Sequence, residues 1–111
     1  MKLLVFVLNK IEKLDALLEE LANNQISGAT IFRTTGMVRE LMSRHELGIF
    51  GSFRHLLDAD RKENRTLFMV VKTEQIAIIE KVIDQVVGNI DEPDTGILFT
   101  LPIESVRGYK H

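Results

Sequence analysis

The apolar stretch Leu3-Leu4-Val5-Phe6-Val7-Leu8 and its counterpart Leu67-Phe68-Met69-Val70-Val71 decide the fold of this chain. Neither stretch alternates between polar and apolar residues, and both are rich in β-branched and aromatic side chains, which is typical of strands buried on both faces. Each is followed by an amphipathic helical pattern and then by a second strand. We therefore expect a duplicated strand–helix–strand unit, covering residues 3–35 and 66–101.

Apolar residues recur at helical spacing after each of these strands. They are Ile11, Leu14, Leu17, Leu18 and Leu21 in the first unit, and Ile76, Ile79, Val82, Ile83, Val86 and Val87 in the second. Asn9 and Glu12 form a capping-box pattern at the start of the first helix, and Thr73 is the predicted N-cap of the second. Gly88 is the predicted residue that ends the second helix.

Of the two remaining predicted strands, the first has the polarity of an edge strand and the second is ended by a proline. Ala29-Thr30-Ile31-Phe32-Arg33-Thr34-Thr35 has mixed polarity and is closed by Gly36, while Ile97-Leu98-Phe99-Thr100-Leu101 stops at Pro102. Two right-handed strand–helix–strand crossovers in series predict an α+β, ferredoxin-like βαββαβ fold. Its antiparallel four-stranded sheet should have strands one and three in the centre and two helices on one face.

The face of this sheet opposite the helices should be apolar, because both central strands are apolar throughout. Leaving even five aliphatic side chains in water forgoes on the order of 10 kcal/mol. An apolar face of this size predicts contact with another copy of the chain, so we expect a homo-oligomer.

Composition narrows the class of protein. The chain has 111 residues, enough for one domain over residues 1–111, with 45% hydrophobic and 27% charged residues. A net charge of −2 and the lack of a basic excess argue against a nucleic-acid partner. The absence of cysteine excludes disulfides, thiolate nucleophiles and cysteine-based zinc sites. The apolar runs are too short for membrane insertion, so the sequence predicts a cytoplasmic protein.

Residues 37–64 form an interval far longer than an ordinary loop. Met37 and Leu41 begin a helical pattern, and Phe50 and Phe53 follow beside glycines. One interpretation is a helical hairpin that packs on its own subunit. The other is a recognition arm that inserts Phe50 and Phe53 into a partner.

The sequence contains no pattern that announces a reaction. No nucleophile–base pair is evident, so we predict that the chain is not an enzyme, and the histidines lack the spacing of a metal site. Asp91, Glu92 and Asp94 are candidate ligands of a divalent cation, but the pattern favours a solvated acidic turn whose geometry is set by Pro93.

Three segments of the chain nevertheless resemble the PII signal-transduction family. They are Lys13-Leu14-Asp15, then Ile26-Ser27-Gly28-Ala29-Thr30-Ile31 with Gly36 and Arg39 after it, and Thr95-Gly96-Ile97-Leu98-Phe99-Thr100-Leu101-Pro102-Ile103-Glu104. The third segment is the most specific, since it resembles the last strand of the family and the Pro-Ile-Glu that follows it. Their order and spacing cover most of the chain outside the long interval.

The resemblance implies a regulatory homotrimer that binds adenine nucleotides in clefts between subunits. It also implies that the long interval, residues 37–64, contacts a target protein or a membrane transporter. Within that interval, Phe50 and Phe53 are the partner-binding residues that we expect from the sequence itself. ATP, ADP and AMP are the candidate effectors. The effector-binding residues that it implies are Gly36, Arg39, Thr95, Gly96, Arg107 and Lys110.

The chain departs from the family where phosphates would bind. The glycine-rich phosphate loop is replaced here by a turn with three carboxylates, and Ile97 stands where the family has a basic residue. Carboxylates disfavour a triphosphate unless a cation intervenes. Two alternatives therefore stay open: a metal-binding trimer of the divalent-ion-tolerance type, and a small enzyme with an active site between subunits.

Overall fold

A computed structural model describes residues 1–44 and 63–109 of the chain. The strands are β1 (Lys2–Leu8), β2 (Ala29–Thr34), β3 (Asn64–Val71) and β4 (Gly96–Pro102), and the helices are α1 (Leu14–Asn23), α2 (Met37–Arg44) and α3 (Gln75–Val86). A short 3-10 helix, Ile11–Lys13, precedes α1. The predicted βαββαβ order is confirmed, and α2 is an additional helix between β2 and β3. None of the helices in the described residues is long and apolar enough to cross a membrane.

The strands form one antiparallel sheet in the order β2-β3-β1-β4. The two apolar strands are therefore central and β2 is an edge strand, as the sequence predicts. β3 begins at Asn64, three residues before its predicted start, because Asn64, Arg65 and Thr66 continue the pairing with β2. The predicted long interval of residues 37–64 thus ends inside β3.

Alternate residues of the central strands point to opposite faces of the sheet. Leu4, Phe6 and Leu8 of β1 are fully buried beneath the helices, together with Leu67 and Met69 of β3. The helices contribute Leu17, Leu21, Ile79, Val82 and Ile83 to this core. The stripes predicted for both helices are thereby confirmed. The face opposite α1 and α3 is called the open face below.

The predicted capping box at the first helix is wrong. Residues 11–13 form a 3-10 turn, α1 begins after Lys13, and neither helix start has a side-chain cap. The side chain of Asn9 instead accepts a hydrogen bond from Asn64 on β3. The side chain of Asn9 therefore bonds to a residue of β3 and not to the start of the helix. The spacing of residues in the sequence does not reveal this alternative partner.

For α3, the predicted N-cap is wrong and the predicted end is confirmed. Thr73 is not its N-cap: the side chain of Gln75 accepts a bond from the Lys72 N–H instead, 2.8 Å between nitrogen and oxygen. Gly88 does end the helix, as predicted, with φ +108° and its N–H donating to the Ile83 carbonyl at 3.1 Å. This six-to-one bond is typical of helices that end in a glycine.

Candidate functional site

The ends of the strands form two opposite borders of the sheet that differ in chemistry. They are called the Leu8 edge and the Lys2 edge, after the two end residues of β1. At the Leu8 edge, β1 ends at Leu8, β2 ends at Thr34, β3 begins at Asn64 and β4 begins at Gly96. At the opposite Lys2 edge, β1 begins at Lys2 beside the last residues of β3 and β4.

A polar cluster occupies the Leu8 edge of the open face. It consists of Asn9, Thr34, Asn64 and Thr66, and both Asn64 and Thr66 are only 8% exposed. The hydroxyl of Thr34 contacts the hydroxyl of Thr66 at 2.8 Å and donates to the Oδ1 atom of Asn64. The Nδ2 atom of Asn64 donates to the Oδ1 atom of Asn9 at 3.4 Å. Four side chains from three parts of the chain are thus joined by hydrogen bonds.

The turn before β4 is attached to the same edge. The carbonyl of Thr95 accepts a bond from the Asn9 N–H at 3.1 Å. The Thr95 side chain is 1% exposed, and its hydroxyl donates to the Pro93 carbonyl at 3.3 Å. In the single chain, both the side chain and the carbonyl of Thr95 are therefore used to hold the turn in place.

Two N–H groups of the acidic turn are used within the turn itself. The N–H of Asp91 donates to the Asn89 side chain at 2.9 Å, and the N–H of Glu92 donates to the Asn89 carbonyl at 3.1 Å. Both N–H groups are therefore occupied, while the carboxylates of Asp91, Glu92 and Asp94 are exposed. Within residues 1–44 and 63–109, no three His, Asp or Glu side chains are grouped as a metal ion would require.

Gly36 and Arg39 lie at the Leu8 edge, directly after β2. The Gly36 carbonyl accepts a bond from the Glu40 N–H at 3.0 Å, which begins α2. The guanidinium of Arg39 donates to the hydroxyl of Thr35 at 3.2 Å. This contact holds the cation beside the last residues of β2, on the same edge as the turn that ends at Gly96.

Arg107 lies on the other side of the molecule. Pro102, the last residue of β4, pairs with Lys2, and the Ile103 N–H donates to the Met1 carbonyl at 3.4 Å. Tyr109 then lines a cavity of about 90 Å³ with residues that include Gly28 and Val71, which flank the Lys2 edge. The exposed Arg107 therefore follows the Lys2 edge, opposite Gly36, Arg39 and Gly96. Lys110, Phe50 and Phe53 lie outside the described residues.

The description of the matching family model is "Nitrogen regulatory protein P-II", and the match covers residues 1–110. The chain belongs to the PII family. No curated protein matches it. The resemblance seen in the three sequence segments is thus confirmed over nearly the whole chain, and the class of protein is a PII-like regulatory protein.

The open face of this PII-family chain carries large apolar side chains. Phe32, Phe68, Ile97, Phe99 and Leu101 are all more than a third exposed, and Ile97 reaches 60%. The rings of Phe32 and Phe68 meet edge to face with centroids 4.9 Å apart. Edge-to-face packing fixes these rings on β2 and β3, so the patch is an ordered surface. The apolar face that the sequence predicts is therefore present on the single chain.

Sequence reasoning missed the polar cluster of this PII-family chain. The sequence does contain a signal for it, because each of its residues is polar and lies at or near the end of a predicted strand. These residues are Asn9, Thr34, Asn64 and Thr66. The strand order that brings these residues together is not local information, and Asn9 had a plausible competing role as a helix cap.

Proposed function

We propose that this chain is a homotrimeric PII regulatory protein. It binds an adenine nucleotide in the clefts between subunits and transmits the ligand state through residues 37–64 to a target protein or a membrane transporter. The observation that carries this proposal is the exposed apolar patch on the open face, because it calls for further copies of the chain.

The patch supports assembly on energetic grounds. Each large apolar side chain that moves from water into an interface contributes about 1.5–3 kcal/mol. Five such side chains lie on one sheet face of the chain. Because these side chains are already about half buried in the single chain, together they would contribute about 3–7 kcal/mol, which offsets part of the cost of associating subunits and supports an oligomer.

The positions of the candidate effector residues support a cleft shared by two subunits. Gly36, Arg39 and Gly96 lie at the Leu8 edge, whereas Arg107 follows the Lys2 edge. In a cyclic trimer the contacts are head to tail, so different surfaces of neighbouring subunits meet. Arg107 of one subunit would then complete a site that begins with Arg39 of the next.

The acidic turn determines which effector is favoured. Its carboxylates repel phosphate groups, and two of its N–H groups are already bonded to Asn89. Repulsion increases with each phosphate that is added. We therefore expect AMP and ADP to bind more tightly than ATP in the absence of a divalent cation, and Mg²⁺ to raise the affinity for ATP most.

Isothermal titration calorimetry with AMP, ADP and ATP, with and without Mg²⁺, tests the proposal. Arg39→Ala and Arg107→Ala should each weaken binding about tenfold or more, because each removes a charge-assisted contact to phosphate. Lys81→Ala is the matched control, since Lys81 is an exposed cation on α3. Absence of binding by all three nucleotides would contradict the nucleotide part of the proposal and leave assembly untouched.

Mixed trimers test whether the two arginines act across subunits. When Arg39→Ala and Arg107→Ala chains are unfolded together and refolded, about one cleft in four receives both arginines if they come from different subunits. If both arginines act within one chain, no cleft recovers. Tight binding with a reduced stoichiometry is the expected result, and its absence would contradict the shared cleft.

A further inference from the structure

The hydrogen bonds of the polar cluster have a fixed direction. Oδ1 of Asn64 only accepts, so the single hydroxyl proton of Thr34 is donated to it. Thr34 then has no proton left for Thr66, and the contact between the two hydroxyls must be donated by Thr66. The side-chain amide of Asn64 continues this series of hydrogen bonds by donating to the side chain of Asn9. The order of donors is therefore Thr66, Thr34, Asn64, with Asn9 as the final acceptor.

This series of hydrogen bonds joins the two ends of the long interval to the turn before β4. Thr34 is the last residue of β2, and Asn64 is the first residue of β3, so their bond closes the interval at its base. Asn9 links this base to the turn, because its backbone N–H donates to the Thr95 carbonyl. Of the three side-chain hydrogen bonds in this series, the Asn64–Asn9 bond is the longest, at 3.4 Å, and hence the weakest.

We propose that the polar cluster is a positioning device. It holds the ends of β2 and β3 together, and through the backbone N–H and the side chain of Asn9 it couples the Thr95–Gly96 turn to the end of β2, which leads into α2. The coupling to a ligand rests on the proposed function, whereas the positioning of the strand ends does not.

Two properties of the cluster support a positioning role. Asn64 and Thr66 are buried, so their side-chain polar groups depend on Thr34 and Asn9 for hydrogen bonds. Consecutive bonds in one direction also polarise each other, and Thr34 takes part in two of the three bonds, so its loss affects the whole series. A ligand can also contact Gly36 and Arg39 directly, so the effect that passes through the cluster is the one that depends on the Asn9–Asn64 hydrogen bond.

Thr34→Val tests the positioning without any ligand. Valine keeps the shape of threonine and removes the hydroxyl, while Thr30→Val makes the same change on the same face of β2 at an exposed position. Amide hydrogen exchange is the measurement. In Thr34→Val the Glu40 and Thr66 amides should exchange about tenfold faster, with the amides of residues 79–83 unchanged. Equal behaviour of the two variants, or a uniform rise over the whole chain, would overturn the proposal.

Asn9→Ala tests the coupling, because it removes the side chain and keeps the backbone bond to Thr95. AMP should slow exchange of the Thr66 amide, which lies outside the proposed effector residues, in the unaltered chain and leave it unchanged in Asn9→Ala, although calorimetry still detects binding. Retention of the full effect in Asn9→Ala would overturn the role of Asn9. If AMP does not bind the unaltered chain, the nucleotide proposal fails, and the Thr34→Val experiment still decides the positioning role.

Discussion

A Cβ atom added to Gly96 would lie 2.6 Å from the backbone carbonyl oxygen of Val7. It would also lie 2.9 Å from the ring of Phe6, which is fully buried. A contact to backbone cannot be relieved by a side-chain rotation. Gly96 is therefore required by the close approach of β4 to β1, independently of any ligand.

Gly96→Ala should lower the free energy of unfolding by about 1–3 kcal/mol, because the added methyl group forces β4 away from β1. Gly36→Ala is the matched control: both glycines are candidate effector residues, but a Cβ at Gly36 meets nothing within 4 Å. We expect a change within about 0.5 kcal/mol for the control. Urea unfolding at equal protein concentration measures both. Similar stability of the two variants would contradict the crowding at Gly96.

Gln25→Gly should stabilise the chain. Gln25 follows the end of α1 with φ 62°, a conformation that costs a non-glycine residue about 1–2 kcal/mol, and the Ile26 N–H donates to the Leu21 carbonyl at 2.9 Å. Glycine removes this cost, and we expect a gain of about 0.5–1 kcal/mol in the free energy of unfolding after its greater entropy in the unfolded chain is counted. Gly88→Ala, the converse change at the end of α3, should destabilise. A loss of stability in Gln25→Gly would show that its side chain matters more than its backbone.

Phe99→Asp should dissociate the assembly without unfolding the subunit. Phe99 is 46% exposed on the open face, and an aspartate there would place a charge inside the proposed interface. Ile78→Asp is the control, because Ile78 is 42% exposed on α3, outside the open face. Sedimentation should show smaller species for Phe99→Asp alone, with an unchanged circular dichroism spectrum. An intact assembly in Phe99→Asp would place the interface elsewhere.

The double variant Phe50→Ala and Phe53→Ala separates the two interpretations of the long interval. If both rings serve a partner, the melting temperature should change little and the mass of the assembly should stay the same. If they belong to the core of their own subunit, each substitution should cost about 3–5 kcal/mol. Thermal unfolding followed by circular dichroism decides between these outcomes.

The sequence predicted the fold well where the signal is local. The apolar runs of β1 and β3, the stripes of α1 and α3 and the glycine at position 88 are each determined by near neighbours along the chain. The prediction for the start of the first helix failed for the opposite reason. Asn9 bonds to Asn64, which is 55 residues away in the sequence, and only the strand order brings the two together.

The candidate site was predictable in its residue types and less so in its arrangement. Family resemblance drew attention to Gly36, Arg39, Gly96 and Arg107. That Arg107 follows the opposite edge of the sheet depends on the direction of β4 relative to β1, which a motif does not contain. The structural need for Gly96 was hidden for the same reason, since its neighbours Val7 and Phe6 belong to another strand.

The mass of the protein in solution tests the central claim most directly, because the shared clefts exist only if three chains assemble. Multi-angle light scattering at micromolar concentration should give three times the chain mass of 12.7 kDa. A dimer would contradict the trimer, and a monomer at every concentration would contradict both the assembly and the clefts between subunits.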